Sequence, residues 1–296
     1  MGRGKSLDSI ALIECAHAIL KEIQPASVRA VCYRLFTAGV IDSMSRANTN
    51  RVSTQLVYAR EHGIIDWTWI VDETRRPERP GTWADPAAFA KAAKRSFRRD
   101  AWAHQPVRIQ IWSEKSTVHG TVTPVLEEYG ITFVVFHGYG SATAIQAAAV
   151  DSLIHDRPLK VYYVGDWDPS GLHMSAVDLP QRLERYGGEV DLVRLALTEE
   201  DVGRNSDLPS FPLASKTGDP RLRWYGNTTG LNRCWELDAL SPAILRERLR
   251  ENIEAEIDWP AWQRTLDCEK AEKASLDMVL GEWQRIIQEG SPRMEK

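Results

Sequence analysis

The sequence predicts a helical N-terminal domain, then an α/β domain, then a helical C-terminal extension. Three observations carry this. Residues 7–62 contain three apolar patterns of helical period. Residues 107–195 alternate short β-branched and aromatic runs with helical stretches, the pattern of a parallel sheet with helices on its faces. Residues 234–296 are charged and helical again. The chain has 296 residues, which suits about two domains of ordinary size.

Each element has its own signal. Ile10, Leu12, Ile13, Ala16, Ile19, Leu20 and Ile23 form one helical stripe, stopped by Pro25. Ser27 can cap a second helix over 28–38, closed by Gly39. A third helix is expected over 47–62, ending before Gly63, and residues 64–70 alternate like a short strand. Three helices and a small β element fit a winged helix-turn-helix, with a plain helical bundle as the alternative. Residues 74–106 turn basic, with Arg75, Arg76 and Arg79 among prolines, then a helix carrying Lys91, Lys94, Arg95, Arg98 and Arg99. That segment reads either as a phosphate-tracking surface or as a solvated linker and helix face. Strands are expected at 107–113, 131–136, 160–165 and 190–195, with helices at 116–129, 141–155 and 171–187 between them. Residues 200–233 read as loop.

Composition narrows the class. Hydrophobic residues make up 43% and charged residues 26%, which excludes a collagen, a rod or a disordered chain. The net charge of −4 argues against a nucleic-acid binder at first sight. Yet residues 1–110 hold 17 basic and 11 acidic residues, a net of +6, while residues 111–296 hold 20 and 30, a net of −10. Such asymmetry between halves points to nucleic-acid contact by one part. Trp67, Trp83, Trp102 and Trp259 lie beside charged residues and are expected to be buried anchors. Cys15, Cys32, Cys234 and Cys268 form no C-x-x-C pair, so no zinc ribbon or redox motif is present. Their spacing suits a reducing, cytoplasmic setting. No apolar run approaches a membrane span, and no secretory signal is read at the start.

Three carboxylates fall at expected strand ends. Glu114 follows the first strand, and Asp166 and Asp168 follow the third in Gly165-Asp166-Trp167-Asp168-Pro169-Ser170-Gly171. If those strands are neighbours, the three acids converge on one sheet edge, where ligands of such sheets bind. Carboxylates of this kind hold magnesium together with waters and substrate phosphates. Alternatively, Asp168 or Ser170 is simply the cap of the next helix. Lys115 can touch phosphate or pair with a carboxylate. His119, His173, Glu236 and Asp238 are weaker candidates, with core, capping or ion-pair roles equally available.

Ile111-Trp112-Ser113-Glu114-Lys115, His137-Gly138-Tyr139-Gly140-Ser141 and the Gly165–Gly171 motif resemble a Toprim domain. The Asp-x-Asp-Pro-x-Gly form is most similar to the topoisomerase VI A subunit and the meiotic double-strand-break proteins. The resemblance implies a CAP-like winged-helix DNA-binding domain at 1–75, a basic linker and helix at 76–106, and a Rossmann-like Toprim domain at 107–200. Residues 201–296 would be a loop-rich and helical extension. It further implies that Glu114, Asp166 and Asp168 bind Mg2+. The family's Arg-x-x-aromatic-Tyr motif falls on Arg29-Ala30-Val31-Cys32-Tyr33, with Cys32 in place of the aromatic. Tyr33 is then the nucleophile and Arg29 its neighbour.

The helix geometry is compatible with that role. Val28, Val31, Cys32 and Leu35 form the expected core stripe, while Arg29 and Tyr33, four residues apart, share another face. A tyrosine with an ordinary pKa of about 10 needs a cation, base or metal nearby to act at neutral pH. The alternative for Tyr33 is a half-buried structural residue. The implied activity is that of a type IIB topoisomerase A subunit, which cleaves double-stranded DNA through a tyrosyl–DNA bond. Arg75, Arg76 and Lys115 would contact DNA. A homodimer is implied, in which the tyrosine of one protomer meets the acids of the other, and an ATPase B-type subunit is an implied partner. Two alternatives stay open: a metal-dependent Toprim nuclease that does not use the tyrosine, and a non-catalytic DNA-binding module. An NAD enzyme is set aside, because no G-x-G-x-x-G follows the first strand.

Overall fold

A computed structural model describes residues 5–70, 81–136, 142–203 and 206–290. The helices α1 (Leu7–Ile23), α2 (Val28–Thr37) and α3 (Arg46–Glu61) come first, followed by α4 (Pro86–Ser96). Then β1 (Arg108–Ser113), α5 (His119–Tyr129), β2 (Thr132–Val135), α6 (Ala142–Ile154) and β3 (Leu159–Val164) alternate. α7 (Pro169–His173), α8 (Leu179–Arg185) and β4 (Val190–Ala196) complete that series. β5 (Ser210–Pro212), α9 (Leu222–Thr229), β6 (Arg233–Trp235), α10 (Pro242–Glu254) and α11 (Trp259–Gly290) follow. No helix among the described residues is long and apolar enough to cross a membrane.

The chain forms two compact units. One comprises residues 1–76 and 107–255, the other residues 77–106 and 256–296. The basic helix of the 76–106 segment therefore belongs with the C-terminal helix.

In the first unit, α1–α3 enclose a core of Leu12, Ala16, Leu20, Val31, Leu35, Val52 and Leu56. Ser6, Ser27 and Ser45 cap the three helices, each accepting an N–H from the first turn. The end of α1 is held by Arg246 of α10. Its guanidinium donates to the carbonyls of Ile23, Gln24 and Pro25 and also to Thr121 of α5, at 3.0–3.3 Å. Orphan carbonyls at a helix end are thus satisfied by a side chain from outside the helix.

Residues 64–70 do not form the expected strand. The Asp66 carboxylate accepts the amide and hydroxyl of Thr68, at 2.7 and 2.6 Å, and winds Trp67–Trp69 into a 3₁₀ turn. Among the described residues, a single parallel bridge from Ile70 to Ala26 remains of the β element. Trp67 is 58% exposed, Trp83 50% and Trp259 49%, so three of the four tryptophans expected as anchors are not buried. Trp67 packs against the Arg60 guanidinium, 4.8 Å from its ring centre. Trp102 is buried, as expected.

The sheet is parallel throughout, in the order β2-β1-β3-β4. Ser113 pairs with Val135 on one side and Val164 on the other, so the ends of β1 and β3 lie side by side. Trp112, Phe136, Ile145, Val161, Tyr163, Met174 and Leu183 form a core with α6 and the α7–α8 segment. α10 packs on α5 through buried Leu245, Leu249 and Ile253. Residues 200–233, read as loop, contain the strand β5 and the helix α9, and β5 pairs antiparallel with β6, which runs into the start of the segment read as helical.

Arg248 of α10 grips Asp201 with both arms, at 2.7 Å each, and also donates to the Leu195 carbonyl. Burial opposes the charge on Asp201. The Arg248 hydrogen bonds, the Thr198 amide and the Arg248 charge outweigh it and hold this carboxyl below its ordinary range. A depressed carboxylate contributes stability above its unfolded pKa and loses it as pH falls through the folded value. Asp201→Asn is therefore expected to lower stability at pH 7 by about 2 kcal/mol, since the pair is largely buried. Urea melts should show this gap at pH 7 and its progressive shrinkage as pH falls below the ordinary aspartate pKa of about 4 towards the lower folded value. An undiminished gap at low pH would mean that the pair is not the cause.

In the second unit, α4 packs on α11. Lys94 pairs with Asp277, and Arg99 donates to Glu272. Trp102 meets Trp262 edge to face at 5.5 Å, and the Gln105 side chain accepts the Asp258 amide at 2.7 Å. Lys91, Lys94, Arg95 and Lys273 line a groove of about 520 Å³.

Candidate active site

The sheet order creates the site. From β1 the chain runs out to β2 and then returns past β1 to β3, so the crossovers diverge between β1 and β3. A crevice opens at the carboxyl ends of two such strands. Glu114 lies just beyond β1, where the Ser113 hydroxyl accepts the Lys115 amide at 3.2 Å and turns the chain. Asp166 and Asp168 lie just beyond β3. The Asp168 carboxylate caps α7 by accepting the Gly171 amide at 2.8 Å. A Cβ at Gly171 would sit 2.6 Å from the Asp166 carbonyl, so this tight turn requires glycine.

Two further devices shape the turn. Trp167 pairs with Trp235 through both backbone bonds, at 2.9 and 3.0 Å, which lays residues 235–238 beside the acids. The Leu237 amide then donates to Asp166 Oδ1 at 2.8 Å. From β4, Arg194 donates to the carbonyls of Gly165, Asp166, Gly171 and Leu197 and to the Ser175 hydroxyl. One guanidinium thus ties both ends of the Asp166–Gly171 turn.

The result is an open cleft of about 620 Å³. Glu114, Asp166, Asp168, Asp219, Glu236 and Asp238 line it, together with Arg29, Lys115 and Lys216. Lys115 Nζ stands 2.7 Å from Asp166 Oδ2, 3.8 Å from Asp238 and 4.0 Å from Glu236. Burial works against its charge, but Asp166, Asp238 and Glu236 outweigh that and push the ammonium pKa up. Lys216 Nζ holds Asp168 Oδ2 at 2.9 Å. Arg29 donates to Glu236 from Nε at 2.6 Å and lies 3.8 Å from Asp238. Burial raises the Glu114 carboxyl above its ordinary range, and the negative charges of Asp166 and Asp168 add to the shift. Burial likewise raises Asp238, whose Oδ1 accepts the hydroxyl of Ser27, the α2 cap.

Glu114, Asp166, Asp168, Lys115 and Arg29 therefore share one cleft of one chain, and Glu236 and Asp238 join them. The donor chemistry, carboxylate oxygens with mutual repulsion, suits a hard divalent cation. The placement does not. Among the described residues, no group of three His, Cys, Asp or Glu side chains is set to hold an ion. Ammonium groups take up Asp166 and Asp168 instead.

Tyr33 shares a face with Arg29, as expected, with the guanidinium 5.7 Å from its ring centre. That face is not open. Tyr33 is 0% exposed and meets Phe211 of β5 edge-on at 6.3 Å. Its hydroxyl is buried with no hydrogen-bond partner among the described residues. Burial, and after it the Glu236 charge, push the phenol pKa above its ordinary value, while Arg29 opposes them.

His119 packs against Phe133 and His173 against Trp224. Arg75, Arg76 and the loop His137–Ser141 lie outside the described residues. Lys216 and Arg194 were not singled out from sequence. No spacing rule links either to the acids, because both reach them from distant segments. No protein-family model matches the chain, and no curated protein matches it either.

Proposed function

We propose that the chain is a DNA-cleaving enzyme like the topoisomerase VI A subunit, with α1–α3 as a winged-helix domain and the parallel sheet as a Toprim domain. The observation that supports this reading best is the meeting of Glu114, Asp166 and Asp168 in one cleft with Arg29, one helical turn from Tyr33. In this reading the Tyr33 oxygen attacks a phosphodiester of double-stranded DNA. A phosphotyrosyl bond forms, a deoxyribose hydroxyl leaves, and the tyrosyl proton passes to solvent or to a cleft carboxylate. Arg29 offers a fork of donors to the phosphate. Mg2+ is the proposed cofactor, supplying charge neutralisation at the acids when bound. A homodimer and an ATPase B-type partner belong to the same proposal. The resemblance implies tyrosine and acids from different protomers, whereas Arg29 here lines its own chain's cleft.

The covered Tyr33 hydroxyl favours a second reading, a metal-dependent nuclease on the same acids. One experiment separates the two. DNA is incubated with the protein and Mg2+, denatured with detergent and digested, and the adducts are mapped. A DNA-linked peptide carrying Tyr33 is the expected result. Cut DNA with free ends overturns the tyrosine chemistry and leaves the nuclease.

A further inference from the structure

Resting on the DNA reading above, we propose that the basic face of α4, completed by Lys273 of α11, is a docking surface for the phosphate backbone of duplex DNA. The surface lies wholly within the second unit and shares no residue with the carboxylate cleft.

The sequence leaves residues 74–106 open between a phosphate-tracking surface and a solvated helix face. Three observations favour the first. Lys91, Lys94 and Arg95 stand three and four residues apart on α4, so they share one side of the helix. From Pro86 to Arg99 no acidic residue interrupts them. The fold then brings a fourth cation from a distant segment. Lys273 lines the same groove of about 520 Å³ as the three α4 cations. Like charges repel, so gathering four of them makes a positive groove that an anion relieves. Only half of that charge is answered within the chain. Among the described residues, Lys94 pairs with Asp277 and Lys273 with Glu269, while Lys91 and Arg95 are exposed and enter no ion pair.

The spacing suits a duplex. Successive turns of α4 set its charges about 5 Å apart along the helix axis. Each DNA strand carries one phosphate per about 3.4 Å of duplex axis, so a rigid row of cations meets more than one of them. A bilayer would need an apolar face beside the charges. On α4 the buried residue is Ala90, 1% exposed, and the helix packs on α11. An acidic peptide offers no fixed row of charges to match a rigid helix. The groove is lined by cations alone, so it positions the duplex without reading its sequence.

Duplex binding is followed by fluorescence anisotropy on the full chain, without divalent cation, across a salt series. Each phosphate contact contributes about 0.9 to the slope of log affinity against log salt. Lys91→Gln combined with Arg95→Gln is expected to lower that slope by about 2 and to weaken binding by about tenfold or more at about 0.1 M salt, equally on unrelated sequences. Glutamine is nearly as good a helix former as either residue, so α4 should form as before. The control pair, Arg185→Gln with Arg223→Gln, removes the same charge from exposed positions of the first unit and should leave the slope unchanged. On the unaltered protein, duplex DNA should shield Lys91 from amine acetylation read by mass spectrometry. Equal losses in the two variant pairs overturn the proposal. So does a Lys91 that DNA leaves unshielded, or an affinity for polyglutamate or phosphatidylserine vesicles that matches that for the duplex. If the α4 variant loses affinity and DNA is never cut, the docking surface stands and the cleavage reading fails. If the variant binds and cuts DNA as the unaltered chain does, the docking surface fails and the cleavage reading stands.

Discussion

Tyr33→Phe is expected to abolish the protein–DNA adduct and leave the fold as firm as before, or firmer. The adduct yield should fall by about a thousandfold or more, the scale on which loss of a nucleophile is felt. The stability expectation comes from the hydroxyl's surroundings. It is fully buried and makes no hydrogen bond among the described residues. An unsatisfied buried hydroxyl costs about 1–3 kcal/mol, so its removal should raise stability by up to ~1 kcal/mol once lost packing is counted. Detergent-trapped adducts and a urea melt measure the two quantities on one sample. The pairing is diagnostic. A structural tyrosine predicts the stability change alone, and an adduct that survives in the variant moves the nucleophile elsewhere.

Arg194→Met should be the most damaging single change near the site. Its guanidinium serves four carbonyls and a hydroxyl around the Asp166–Gly171 turn, and packs 5.3 Å from the ring centres of both Tyr163 and Trp167. Methionine keeps much of the stem and none of the donors: Gly165 and Gly171 carbonyls retain the Leu197 and Met174 amides, but the Asp166 and Leu197 carbonyls lose the donor they have. The expected loss is about 3–5 kcal/mol of stability. Lysine should rescue little, because a single ammonium cannot spread over that fork. A turn displaced by even 1 Å costs about a hundredfold in rate, so the DNA cleavage of the proposed function should fall by that order below the melting range. A variant that melts early but cleaves DNA normally below its melting range would show that Arg194 supports the sheet and not the acids.

Much of the first unit is legible along the chain. The central strands β1 and β3 appear as β-branched and aromatic runs because most of their residues are buried, as in parallel strands covered on both faces, while the edge strands β2 and β4 carry such runs though only half-buried. Once strands are found, Glu114, Asp166 and Asp168 follow, since a carboxyl strand end is where such a sheet opens. Residues 64–70 mislead because their alternation competes with a local cap. Asp66 takes the Thr68 amide, and among the described residues only the Ala26–Ile70 bridge offers a β partner instead. β5 and β6 span three residues each, too few to show a period. The cover over Tyr33 is invisible for a different reason. Phe211 and Glu236 come from segments far along the chain, so α2 by itself shows only a tyrosine off the core stripe. Lys216 and Arg194 share that blindness: a lysine in a loop and an arginine in a strand carry no mark of the carboxylates and carbonyls they reach.

The second unit has a consequence for the order of events during synthesis. It joins residues 77–106 to residues 256–296, with all of 107–255 made in between. The basic helix α4 therefore leaves the ribosome long before α11, the helix that neutralises Lys94 and Arg99. Throughout that interval its positive charges have no carboxylate partners from α11. The first unit has its sequence by residue 255, whereas the second waits for residues 256–296.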